Sequence, residues 1–153
     1  MTTGILAGAA AGAAGTAALN AATYIDMTVR GRGTSSTPEQ TVEAIEDHLP
    51  VSVPGDDETR ANRVSGLGSL SGVVTGVGIG AVFGVLHRAG VRPPTALGAL
   101  LVGAGAMAAT DLSMASLKVT DPRSWSATDW LSDIIPHLVY GTVTYAVLQA
   151  LDR

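Results

Sequence analysis

The chain contains no cysteine, which removes disulfide staples, thiolate nucleophiles and cysteine metal ligands in one step. Charge is scarce too. Only 14% of the residues are Asp, Glu, Lys or Arg, where a soluble domain carries about 25%. Aromatic residues make up 4%, with Phe83 as the single phenylalanine. The formal net charge is −4, the sign of a phosphate backbone, so no nucleic-acid partner is expected. A chain of 153 residues has a large surface for its volume and needs polar residues to cover it. These absences leave it without that cover, so its apolar atoms must face something other than water.

What is there is Ala, Gly and aliphatic residues. Hydrophobic residues make up 46% and glycines number 19; the mean hydropathy is +0.34. A soluble core of Ala and Gly would bury little area per residue. In a bilayer the same small residues let helix backbones approach closely. Residues 1–25, 64–86, 93–110 and 134–151 are nearly free of charge, and a bilayer-crossing helix needs about 20 such residues. The pattern predicts spans at about 4–25, 65–87, 95–117 and 129–151. The fold class is therefore all-α: a four-helix transmembrane bundle in a single integral membrane domain, 1–153. A secretory signal peptide is the rival reading of the first span. It requires a positively charged start, which Met-Thr-Thr-Gly does not supply.

Residues 26–63 form the one long polar segment. After the flexible Arg30-Gly-Arg-Gly-Thr-Ser-Ser, Thr37 is placed to cap a helix, with Pro38 at its first position and Gln40 at capping-box spacing. Val42, Ile45 and Leu49 fall at i, i+3 and i+7, and Glu39, Glu43, Glu46 and Asp47 share the remaining circumference. That predicts a short amphipathic helix over about 38–49. The short connection at 87–94 predicts that spans two and three pair as an antiparallel hairpin. Trp125 and Trp130 mark a membrane boundary at the start of span four. Arg30, Arg32, Arg60, Arg63, Lys118 and Arg123 in loops one and three outweigh Arg88, Arg92 and Arg153 opposite. By the positive-inside rule, loops one and three are cytoplasmic.

Two patterns single out candidate residues. Gly4, Gly8 and Gly12 recur every four residues in span one, continued by Thr16 and Asn20; Gly68, Gly72, Gly76, Gly80 and Gly84 do the same in span two. Residues four apart share a helix face, and a strip of glycines makes a groove for another helix. Packing of span one on span two needs nothing further and is preferred. An oligomer, a docked partner or a pore lining are the alternatives. The second pattern is polar. Asp133 and His137 share a face of span four, and Asp111 and Asn20 lie at similar depth, roughly 6–9 Å in from the same end. An intramembrane acid costs about 2.5–3.5 kcal/mol on insertion scales and usually pairs or faces a cavity. Such a cluster can relay protons or bind a cation. The plain structural reading has the carboxylates solvated at the boundary, with His137 hydrogen-bonding a neighbouring helix. Asp133 and His137 alone are too few for a metal site. No activated nucleophile lies near, so no enzyme, cofactor or metal is expected.

Residues 136–141 read Pro-His-Leu-Val-Tyr-Gly, followed by Thr-Val-Thr-Tyr-Ala-Val-Leu. Together with the Gly/Ala-rich first span, this resembles the last helix of small bacterial inner-membrane proteins of the YagU-like type. The resemblance implies a multi-pass inner-membrane protein and points to His137, Tyr140 and Gly141. It implies no reaction. The functional expectation is a structural or accessory membrane protein, acting through helix packing and through contacts with lipid, a second copy or another membrane protein. The alternative is a small transporter or channel component built on the polar cluster Asn20, Asp111, Asp133, His137 and Tyr140.

Overall fold

The computed structural model describes residues 2–151. They form α1 (Thr2–Arg30), α2 (Thr37–His48), α3 (Asp57–Arg88), α4 (Thr95–Ser116), a short 3-10 turn (Pro122–Ser124) and α5 (Ala127–Leu151), with no strand among the described residues. Helices α1, α3, α4 and α5 are each long and apolar enough to cross a membrane. With 32 residues, α3 is about 48 Å long, well beyond the ~30 Å of a hydrocarbon core. Its excess carries Asp57, Glu58, Arg60 and Arg63, so the N-terminal turns of α3 stand outside the apolar layer.

The helix starts and stops have local causes. Asp56 caps α3, its carboxylate accepting the Thr59 N–H at 2.9 Å. The cap of α2 is Ser36, one residue earlier than the expected Thr37, and Gln40 Nε2 reaches back to Ser36 Oγ at 3.1 Å. Beyond α3, Gly90 adopts φ +95° while its N–H returns to the His87 carbonyl at 3.1 Å. A glycine takes this left-handed turn without steric cost.

The helices do not pair in chain order. Helix α1 packs against α3 on one side and α5 on the other; α5 also packs against α4, and α2 lies on α3. Spans two and three, expected to pair as a hairpin, follow one another through a short connection without forming a main packing pair. Helices α3 and α4 are consecutive but touch little, where the ring of Phe83 lies over Gly105. The reason is shape: α4 presents Gly98, Ala99 and Gly103 to α5, which fits them more closely than the Val and Leu side chains of α3 could. The core is formed by Val102, Ala106, Tyr140 and Tyr145, with Leu19, Ile79, Phe83 and Ala99 packed around them.

Candidate functional site

The two glycine rows meet. Gly4, Gly8 and Gly12 of α1 interleave with Gly84, Gly80 and Gly76 of α3, running antiparallel. A Cβ at Gly8 would sit 2.8 Å from Gly84 Cα and 2.9 Å from Ala81 Cα, and one at Gly84 would sit 2.7 Å from Gly8 Cα. The obstacles are backbone atoms, which no rotamer change can move aside. Thr16 closes the seam, its side chain against Gly76 and its hydroxyl donating to the Gly12 carbonyl at 2.9 Å. The rest of the predicted row behaves differently. Gly68 lies under Pro38 of α2, and Gly72 has nothing within 4 Å of where its Cβ would be. The row therefore continues past its partner, because the every-fourth glycine row of α1 ends at Gly12 and is continued by the bulkier Thr16 and Asn20.

A second seam, between α4 and α5, was not visible as a row. Gly141 lies against the Ala99 carbonyl and the Gly103 backbone, and Gly103 against the His137 carbonyl. Gly98 accommodates the ring of Tyr145, whose hydroxyl donates to the Pro93 carbonyl at 2.7 Å. Gly15 of α1 similarly receives Tyr140 and Thr144. The signal for this seam was the Ala99–Gly103 pair at small-xxx-small spacing, shorter than the rows that drew attention. His87 is buried in the last turn of α3 with its ring edge-on to Tyr145 at 6.0 Å.

Part of the predicted polar cluster comes together across this second seam. His137 Nδ1 lies 3.2 Å from Asp133 Oδ1 and 2.9 Å from the Asp133 carbonyl. Asp111, from α4, is only 7% exposed, and its carboxyl interacts with both Asp133 and His137. Asp111 Oδ1 and Asp133 Oδ2 are each buried with no hydrogen-bond donor among the described residues. Two predicted members stand apart. Tyr140 turns its hydroxyl away, donating to the Gly76 carbonyl of α3 at 2.6 Å. Asn20 is half-buried on α1 and makes no side-chain hydrogen bond among the described residues. Nor do three His, Asp or Glu side chains converge as a metal site among the described residues.

Outside the apolar layer, α2 is fastened along the N-terminal turns of α3. Glu46 Oε2 accepts from Arg60 Nη2 at 2.6 Å, Glu46 Oε1 also accepts the Val53 N–H, and Glu39 Oε1 accepts from Ser65 Oγ at 3.0 Å. No residue of α2 is buried. Ile45, Leu49 and the following Val51 stay 42%, 53% and 65% exposed. Near the same end of the bundle, Trp125 and Trp130 stack edge to face at 5.0 Å, and Trp125 Nε1 donates to Thr120 Oγ1 at 2.8 Å. At the opposite end a cavity of about 270 Å³ is lined by Thr3, Gly4, Ala7, His87, Arg88 and Leu148.

The four apolar helices and their close seams define the class: a polytopic α-helical membrane protein. No family model, curated protein or solved structure matches the chain.

Proposed function

We propose that the chain is a non-enzymatic accessory membrane protein whose bundle anchors a docking face on the α2–α3 hairpin. The observation that carries this reading is the orientation of α2. Its polar side chains Glu39 and Glu46 tie it to α3, while Ile45, Leu49 and Val51 are held exposed beside it. Single exposed apolar residues are ordinary. Three on one fastened hairpin, beyond the apolar layer, form a surface that suits a partner. Glu43, half-exposed, and Asp47 border it, which favours a protein partner with an apolar patch rimmed by basic residues and disfavours a second copy carrying the same acids. In this reading loops one and three face the cytoplasm of a bacterium, and the likeness to YagU-like inner-membrane proteins is a family relationship.

The test is a photocrosslinking amino acid at Val51 in intact membranes of the source cell. One discrete adduct is expected, absent when the probe is at Val91 and lost in the Ile45→Ser, Leu49→Ser double variant, whose thermal midpoint in detergent stays at the wild-type value. No adduct from Val51, or an adduct indifferent to the double substitution, overturns the reading. A second reading, a transporter or channel component, is favoured by one observation: the buried meeting of Asp111, Asp133 and His137.

A further inference from the structure

Asp111 and Asp133 reach the same point from two helices. Asp111 is buried on α4, Asp133 is largely buried on α5, and the two carboxyls are in side-chain contact. Each keeps one oxygen buried without a donor, Asp111 Oδ1 and Asp133 Oδ2. Two ionised carboxylates in contact repel each other, and neither can donate to the other. A buried acceptor left without a donor costs about 1–3 kcal/mol, and more when it is charged.

We propose that Asp111 and Asp133 bind a single proton between them, making the loop-one end of the α4–α5 seam a proton-binding site. The proton sits on one carboxyl and is donated to the facing oxygen of the other. One added proton thus satisfies both orphaned oxygens and removes one of the two like charges. His137 is the positioning residue. Its Nδ1, 3.2 Å from Asp133 Oδ1, engages that oxygen and leaves Oδ2 buried without a donor.

Among the described residues, His137 is the one cationic group that acts on the pair. Asp133 and His137 are the charged side chains that act on Asp111, and Asp133 and Asp111 those that act on His137. From α1, Arg30 reaches only as far as Ser132 Oγ at 2.5 Å and is engaged by Asp26, while its field falls on Asp129. Helix α3 brings no charged side chain to Asp111 among the described residues. A metal ion fits less well than a proton, because Asp111, Asp133 and His137 meet without forming a group that could hold a metal ion, whereas a shared proton needs only two oxygens.

The seam makes the site consequential. Gly103 lies against the His137 carbonyl, and Gly141 against Ala99 and Gly103. Backbone contacts at that range hold α4 close to α5 about two turns from the pair, so the helices resist separating when the proton leaves. Loss of the proton therefore opposes seam closure. The stabilisation is present on the acid side and is lost as pH rises. None of this depends on the docking face of α2.

The full chain in lipid nanodiscs tests it by infrared titration in sodium-free buffer. Wild-type protein is expected to show a protonated-carboxyl C=O band at neutral pH that disappears on alkalinisation, and Asp111→Asn to lack it. In detergent, the wild-type thermal midpoint falls between about pH 5 and about pH 9. That dependence is flattened in Asp111→Asn, whose amide donates to Asp133 at every pH. Asp133→Asn gives the reciprocal result. A wild-type spectrum with no protonated carboxyl at neutral pH overturns the proposal, as does a band that survives in Asp111→Asn. So does a band displaced at neutral pH by added sodium, which would make this a metal-ion site.

Discussion

A Cβ added at Gly80 would lie 2.5 Å from Gly12 Cα, while one at Gly72, in the same row of the same helix, would meet nothing within 4 Å. This pair turns the seam into a controlled comparison. Gly80→Leu must push α1 and α3 apart, at a cost of about 1–3 kcal/mol or more. Gly72→Leu adds a side chain in open space and gains about 1 kcal/mol or less of helix propensity. Thermal unfolding in detergent should show a clear loss for the first and none for the second; equal losses would mean that close approach of the backbones does not hold the bundle. The comparison also marks what was legible at this scale. The spacing of Gly4, Gly8, Gly12 and Gly76, Gly80, Gly84 identified a face and its partner. It could not separate Gly72 from Gly76, because periodicity states which way a residue points and not what stands opposite. Asp133 and His137 were legible as a pair by their spacing, whereas Tyr140, two turns on from Asp133, shares that neighbourhood in sequence but bonds to α3 instead.

At the scale of elements, the apolar spans were readable, whereas the reach of their polar extensions was not. Span two was expected from 65 and α3 begins at Asp57, because hydropathy registers the part of a helix that needs lipid and ignores the part held by a cap. That cap titrates. The side chain and N–H of Thr59 hold the Asp56 carboxyl below the usual carboxylate range. A depressed folded value means that the cap contributes fully above the ordinary range and fades as pH falls through the lowered one. Hydrogen exchange of the Thr59 amide, corrected for its intrinsic rate, should lose protection on acidification in the wild-type protein. In Asp56→Asn, which still accepts the bond, protection should be independent of pH. Acid sensitivity unchanged in Asp56→Asn would assign the fraying to another carboxylate. The hairpin of α3 and α4 was misread for a different reason. A short connection fixes direction but not neighbour, and the neighbour was decided by Gly98, Gly103 and Gly141, which let α4 approach α5 at backbone distance.

For the whole molecule the question is whether protons that reach the Asp111–Asp133 pair can go on. A pathway needs polar groups along the full thickness of the apolar layer. Beyond His137 the route meets Tyr140, whose ring is 1% exposed and whose hydroxyl is already committed to the Gly76 carbonyl. On either side the seams are closed by backbone contact, Gly103 and Ala99 against α5 and Gly12 against α3. Past Tyr140 the buried hydroxyls are those of Thr144 and Tyr145, the second committed to the Pro93 carbonyl, and the side chains around them, Val102, Ala106, Leu19, Ile79 and Phe83, carry no polar group. A site that binds a proton from one end and passes it nowhere is a sensor of that end, which suits an accessory protein better than a transporter. Purified protein in sealed liposomes should therefore show no proton flux above protein-free controls under an imposed pH gradient, and Tyr140→Ala should add none without also loosening the bundle. Wild-type flux that Asp111→Asn abolishes would reverse the preference, and the cluster would then be the entrance to a route on which Tyr140 moves.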